Sequence, residues 1–296
     1  MLPVGPLHVA VAAAATIAGC PLFPADFSTN QRVDALPVAR DSAAIVRSIG
    51  LDDSLKANFA SGFWEGAPIG IPYDVVGRRT KRSRVSFEYA DESDRVSYPI
   101  PRGVHIEGRP ADHGDHHALL VDRARCKLYE LYALRRENGR WIAGSGATWS
   151  LRKPRVRPAG WTSADAAGLP ILPLLARYQE VRRGRITHAL RMTVSETRRA
   201  FVYPARHYAS SNTDPSLPRM GERLRLKASV DISGLPRQAR VVARALQEYG
   251  ATVADNGSDW YVGGAPSPHW DNDRLRQLQS LHGSDFEVVS PPSPGR

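Results

Sequence analysis

The sequence predicts a mainly β protein: a two-sheet sandwich or jelly-roll-like single domain with a few inserted helices, with an α+β layering as the alternative. Three observations predict it. Between Val85 and Leu151 the chain runs through "VSFEYA", "HALLVD", "KLYELYAL" and "RWIAGSGATWSL", rich in β-branched and aromatic residues with rough period-2 alternation. The 24 glycines and 23 prolines are scattered along the chain, as short strands joined by tight turns require. Only a few segments show the helical period.

Taken in order, "ARDSAAIVRSIG" predicts a short helix capped at Asp41 or Ser42 and ended by Gly50. "IPYDVV" and "VSFEYA" read as strands, and the basic run "GRRTKRSR" between them as a hairpin loop. "ENGR" marks a turn inside the strand-rich region. "LPILPLLARYQEVRRG" predicts a helix over 173–183 with Gly184 as its cap. "RITHALRMTV", "RRAFVYPA" and "ERLRLKASV" predict strands. "LPRQARVVARALQEYG" is the best helix, opened by Pro236 and stopped by Gly250. "ATVADNG" and "DWYVGGA" predict a hairpin through Asn256 and Gly257, followed by the helix "NDRLRQLQSL" and the strand "DFEVV". The domain is expected over 21–290, after a signal-like segment at 1–20 and before a tail at 291–296.

With 296 residues, 42% hydrophobic and 24% charged, the chain is an ordinary globular one. A chain of about 300 residues buries roughly three quarters of its unfolded surface. The net charge of +10 is almost all arginine and is spread over the whole length. A nucleic-acid footprint clusters, and the one dense run lacks the interleaved aromatics that stack single strands. No nucleic-acid partner is therefore expected. The apolar stretch His8 to Ala18 has signal-peptide length and is too short to span a bilayer. An exported chain with two cysteines, Cys20 and Cys126, predicts a disulfide. "IAGC" at 17–20 also fits a lipoprotein cleavage box, so lipid anchoring through Cys20 is the competing expectation.

The segments "LFPADFSTN", "GAPIGIPYDVV", "FEYADESD", "CKLYELY", "GWTSADAAGLPILPLLARYQEV", "ITHALRMTV", "YPARHYASS", "YGATVADNGSDWYVGG" and "DFEVV" together resemble a family of uncharacterised exported proteins of soil bacteria. The resemblance covers nearly the whole chain from Cys20 onward. It implies one extracytoplasmic domain and carries no reaction. The chain departs from that family at "FSTN" and in the basic run 77–84.

Candidate chemistry begins with "DHGDHHALLVD" at 112–122. His113 and His116 have H-x-x-H spacing and His117 follows, but no third ligand is announced, so no metal is expected. A divalent metal, zinc there or calcium on Asp112 and Asp115, is the lesser alternative. Alternation in "HALLVD" places His117, Leu119 and Val121 on one face and Asp122 on the other, which argues against a His–Asp dyad. His117, His188 in "ITHALR" and His207 in "ARHYASS" could wall one groove.

Paired carboxylates are the second route. Glycoside hydrolysis needs two carboxyl groups flanking the bond. Glu65, Glu130 and Asp165 are the candidates, with Trp64 and Trp161 as sugar-stacking platforms beside two of them. A lyase would use His188, His207 or Tyr208 for proton transfer, with Arg191 or Arg206 against the uronate carboxylate. A nucleophile elbow, a P-loop and a dinucleotide-binding glycine pattern are all missing, so no cofactor is expected. These residues predict a secreted, monomeric, carbohydrate-active protein, either a polysaccharide hydrolase or a lyase. A non-catalytic glycan- or cell-wall-binding protein, or a structural or adhesion protein, is the alternative.

Overall fold

The computed structural model describes residues 15–290. The start of the signal-like stretch and the 291–296 tail lie outside them. The protein is mainly β, with 26% strand and 17% helix.

In chain order the elements are β1 (Thr16–Ile17), β2 (Cys20–Pro21), α1 (Ser42–Ile49), β3 (Lys56–Asn58), β4 (Phe63–Trp64), β5 (Ala67–Pro68), β6 (Tyr73–Val76) and β7 (Val85–Phe87). Then come β8 (Ala118–Asp122), β9 (Lys127–Tyr132), β10 (Arg135–Glu137), β11 (Arg140–Ala143), β12 (Ser145–Ser150) and α2 (Tyr178–Arg183). The C-terminal third holds β13 (Leu190–Val194), β14 (Arg223–Leu226), α3 (Arg237–Glu248), β15 (Ala251–Asn256), β16 (Tyr261–Gly263), α4 (Asn272–Arg276) and β17 (Phe286–Val289).

Three sheets carry the fold. A four-stranded sheet has the order β12-β9-β8-β6 and a three-stranded sheet the order β10-β11-β7. A six-stranded sheet has the order β17-β14-β15-β13-β16-β3. The alternation read in "HALLVD" holds. Leu119 and Val121 face one core with Leu128, Trp149 and Leu172, while Ala118 and Leu120 face another with Tyr98, Tyr129 and Leu131. Both faces of β8 are buried, because the three-stranded sheet covers one and the segment around Leu172–Leu175 covers the other. The third core lies between the six-stranded sheet and its helices. It gathers Ile45 and Val46 of α1, Val242 and Leu246 of α3, Leu275 of α4 and the inner residues of β13 and β15.

Several local predictions hold. Glu137 and Arg140 pair across Asn138-Gly139, both at positive φ, closing the "ENGR" hairpin. Helix α3 starts one residue after Pro236, and Gly250 follows its cap. At Gly250, φ is +70° and a Cβ would stand 2.4 Å from the Leu224 carbonyl, so the turn requires glycine.

Other predictions fail for stated reasons. The 256–257 turn makes no hairpin: β15 and β16 flank β13, parallel to it on one side and antiparallel on the other. The basic run 77–84 joins β6 to β7 across two different sheets, so it is a crossover between layers. The helix expected over 173–183 splits. Leu172–Leu174 forms one 3-10 turn, Leu175 is extended, and Ala176 bridges Gly264 before α2 begins. Burial of Leu174, Leu175 and Ala176 between cores overrides local helix preference. "RRAFVYPA" contributes only the bridge Phe201 to Met220.

Cys20 and Cys126 form the expected disulfide, with Cα atoms 5.4 Å apart and a sequence separation of 106. The sulfur a lipid anchor would need is therefore consumed, and lipidation of Cys20 does not hold. No helix among the described residues is long and apolar enough to cross a membrane.

Candidate active site

Two adjoining cavities open where loops from the four-stranded and six-stranded sheets meet. The outer one, about 390 Å³, is lined among others by Tyr89, Tyr132, Ser145, Thr162, Asp165 and His207. The inner one, about 150 Å³, is lined by Glu107, His117, Arg191, Thr193 and Tyr261 with their neighbours. Asp115, Asp255 and Asn256 border both.

The loop 162–169 is held by Glu92 and by its own polar atoms. Thr162 N–H donates to Glu92 Oε2 at 2.8 Å, and Asp165 N–H donates to Ser163 Oγ at 2.9 Å. Ser163 Oγ in turn donates to the Leu169 carbonyl at 2.5 Å. Gly168 has φ +70°, and a Cβ there would meet the Trp161 carbonyl at 2.6 Å. This framework fixes Asp165 in a buried position facing β13.

Arg191 of β13 clasps two carboxylates. Its Nε and Nη2 donate to the two Asp165 oxygens at 2.8 Å each, a bidentate fork, and Nη2 reaches Asp255 Oδ2 at 3.0 Å. A register shift between Met192 and Thr193 brings Asp255 of β15 opposite Thr193, close enough for that second bond. Burial alone would lower the Arg191 pKa, but Asp165 and Asp255 more than reverse this and raise it.

Asp255 is the unusual carboxylate. Burial, then the negative charge of Asp165, push its carboxyl up to about 7, although Arg191 and His117 pull it back. Its side chain is 21% exposed, so the group reaches the cleft.

His117 sits on the inner wall, fully buried. Nδ1 donates to Glu107 Oε2 at 2.5 Å and Nε2 donates to the Ala164 carbonyl at 2.9 Å. Both partners are acceptors, so the ring carries both protons and is cationic. Burial acts against that charge, yet the Glu107 carboxylate outweighs it and holds the pKa at about 9. Glu107 is lowered correspondingly: burial pushes it up, and His117 more than pulls it back.

Four of the residues predicted from sequence meet here: His117, Asp165, Arg191 and His207. His207 lines the outer cavity, with Nδ1 2.8 Å from the Ala166 carbonyl and Nε2 3.9 Å from Glu92. The remaining predicted residues lie elsewhere. His188 precedes β13 and borders neither cavity; it bonds the buried Glu180, which Arg177 also holds at 2.7 Å. The three-histidine groove therefore reduces to His117 and His207. Glu130 is fully buried and points inward. Its oxygens accept from the backbone N–H groups of Ile171 and Leu172 and from Trp149 Nε1, so it anchors the segment between the cores. Burial raises it to about 7 against those hydrogen bonds.

Glu65 tips the exposed β4–β5 hairpin at φ +47°, and Trp64 beside it is 65% exposed, so neither occupies an apolar pocket. Trp161 lines a separate groove with Asp91 and Arg95, and the Arg157 guanidinium lies 5.3 Å over its ring. Tyr208 stacks on His207 and Phe201, and its hydroxyl accepts from Arg199 Nε at 3.2 Å. Arg206 borders neither cavity and holds the 162–169 loop through its backbone N–H to Ala167.

Sequence reasoning missed Glu107 and Asp255 and weighed Asp115 only as a calcium ligand. The signal for Glu107 was its place in the loop that runs into "DHGDHH". Asp255 was hidden as a turn residue. Glu107, Asp115 and His117 present one donor atom each within 4.8 Å of one another. Holding an ion there requires His117 to lose a ring proton and one of its two hydrogen bonds.

No protein-family model, curated protein or solved structure matches the chain.

Proposed function

We propose that this protein is an extracytoplasmic glycan hydrolase that works by acid–base catalysis in the two-chambered cleft, as a monomer. The carrying observation is Asp255: a carboxyl held at about 7 where both chambers meet, with Asp115 sharing the same borders. A group protonated near neutral pH and reachable from solvent is the part a general acid needs. Asp255 donates its proton to the departing glycosidic oxygen. Asp115, exposed on the shared rim, serves as the second carboxylate, either activating water or attacking the anomeric carbon. The Arg191 clasp orients Asp255 and holds Asp165 beside it.

The walls favour a polyhydroxylated substrate. Ser145, Thr162 and Asn256 supply hydrogen-bonding groups, and Tyr89 and Tyr132 supply ring faces for sugars. The disulfide supports an extracytoplasmic setting. A lyase reading is less well served, because Arg191, the natural partner for a uronate, is already shared between two carboxylates.

The test is a polysaccharide panel on the oxidised protein, read by new reducing ends and by the ultraviolet absorbance of unsaturated uronates. Reducing ends without absorbance, abolished in Asp255→Asn and Asp115→Asn, are expected. Absorbance together with reducing ends would replace hydrolysis by elimination. Silence across the panel with folded protein, or full activity in Asp255→Asn, would overturn the proposal.

A further inference from the structure

The arginines look evenly spread in sequence, but the fold lines one groove with three of them. Arg237, Arg240 and Arg244 follow one another at helical spacing along α3 and line an open groove of about 620 Å³. The other wall is the turn after β14, with Ser229 and Ser233, and the C-terminal end of α2 closes the groove at Gly184. Arg237 Nη2 donates to the Arg182 carbonyl at 2.8 Å, which ties the C-terminal end of α2 to the groove.

Little negative charge balances this surface. Among the described residues, Arg182, Arg183, Arg237, Arg240 and Arg244 have no carboxylate within 4.0 Å, and Arg185 reaches only Glu248 at 3.6 Å. The one acidic residue lining the groove is Asp231. Both of its oxygens are occupied by Ser233, from the backbone N–H at 2.8 Å and the hydroxyl at 3.0 Å. The groove is also held in shape: Gln247 Nε2 donates to the Lys227 and Val230 carbonyls, fastening the turn to α3. Arg240 Nη1 also donates to the Ser233 carbonyl at 2.9 Å. Three guanidiniums without a carboxylate partner thus lie along an open trough, a track for a linear polyanion, since a rigid guanidinium fork suits carboxylate geometry.

We infer that the α2–α3 groove is a docking track for an acidic polysaccharide bearing carboxylates along its chain. The choice of polymer rests on the glycan reading of the cleft. Two further observations favour it over nucleic acid. No aromatic residue lines the groove to stack a base. The disulfide also fits an oxidising compartment, where acidic glycans rather than nucleic acids are the abundant polyanions.

The experiment measures binding of polygalacturonate, neutral dextran and duplex DNA to the full oxidised chain across a salt series. Three proteins are compared: wild type, Arg237→Gln/Arg240→Gln/Arg244→Gln, and a control with Arg78→Gln/Arg79→Gln in the exposed crossover. Polygalacturonate affinity is expected to fall more than about tenfold in the triple variant. The log–log salt slope should become shallower by about two to three, as each lost phosphate-like contact releases one counterion fewer. The control should stay within about twofold, and dextran should not bind. Equal loss in the control, or none in the triple variant, would overturn the groove. DNA held more tightly than polygalacturonate, and lost in the triple variant, would reassign the groove to nucleic acid. Binding measured with Asp255→Asn separates the two proposals: affinity retained without cleavage leaves the track standing whatever the cleft does.

Discussion

Replacing Glu107 by Gln removes the charge that keeps His117 an imidazolium while leaving an amide of the same shape. The charged groups acting on that ring include Glu107, Arg191, Asp115 and Asp255. Without the carboxylate, burial and Arg191 both act to discharge His117, and its pKa should drop below the ordinary 6.5. The rise from 6.5 to about 9 in the native protein corresponds to about 3 kcal/mol. The sign follows from proton binding. Between pH 6.5 and about 9 the folded state holds a proton that the unfolded chain releases. This stabilisation is complete below pH 6.5 and gone above about pH 9. Wild type should therefore lose about 3 kcal/mol across that window. Glu107→Gln should be about 3 kcal/mol less stable at pH 6.5 and should converge with wild type near pH 9.5. Urea unfolding followed by tryptophan fluorescence at several pH values gives the free energies, and imidazole ¹⁵N shifts give the His117 titration directly. A wild-type curve flat over this range, or the same alkaline decline in Glu107→Gln, would refute the ion-pair account.

Other outcomes follow from the same structure. Arg191→Met should cost about 3–5 kcal/mol in unfolding free energy, since it strands two carboxylates at once; a cost under 1 kcal/mol would show the clasp to be incidental. In the hydrolase reading, activity should fall as pH rises through about 7, where Asp255 loses its proton, and an activity still climbing at pH 9 would assign the acid role elsewhere. Reducing Cys20–Cys126 opens a loop of about a hundred residues and should cost on the order of 4–5 kcal/mol, read from denaturation with and without reductant. Trp64→Ala should leave stability within about 0.5 kcal/mol because the ring is 65% exposed, so a large change would mean that the β4–β5 hairpin is packed in solution.

The centre of the four-stranded sheet was legible because β8 and β9 are consecutive and locally patterned: "HALLVD" and "KLYELYAL" each carry their own signal, as does the "ENGR" turn of the three-stranded sheet. The six-stranded sheet was not, because its order depends on which strand enters between β15 and β16, and no residue near Asn256-Gly257 records that β13 takes that place. The site divides similarly. Asp165, Arg191, His117 and His207 were visible as chemically suggestive side chains, yet their partnership is a product of tertiary pairing over separations of 26 and 64 residues. Asp255 stayed hidden because its perturbation comes from burial and from Asp165, neither of which leaves a local mark. Glu130 misled in the opposite sense. It read as a candidate catalytic carboxylate, but β9 is covered on both sides and the buried group binds backbone N–H donors instead.

The cleft draws its walls from a loop ahead of β8, a loop after β12 and the ends of β13 and β15. Its lining residues are drawn from positions as far apart as Asn58 and Tyr261. A nascent or proteolysed chain that has formed only the four-stranded sheet would own Asp165 but lack both Arg191, which holds it, and Asp255, the second carboxylate of the clasp. Competence at this site thus requires both sheets to be in place, which makes the Asp165–Arg191–Asp255 clasp a built-in indicator of complete folding.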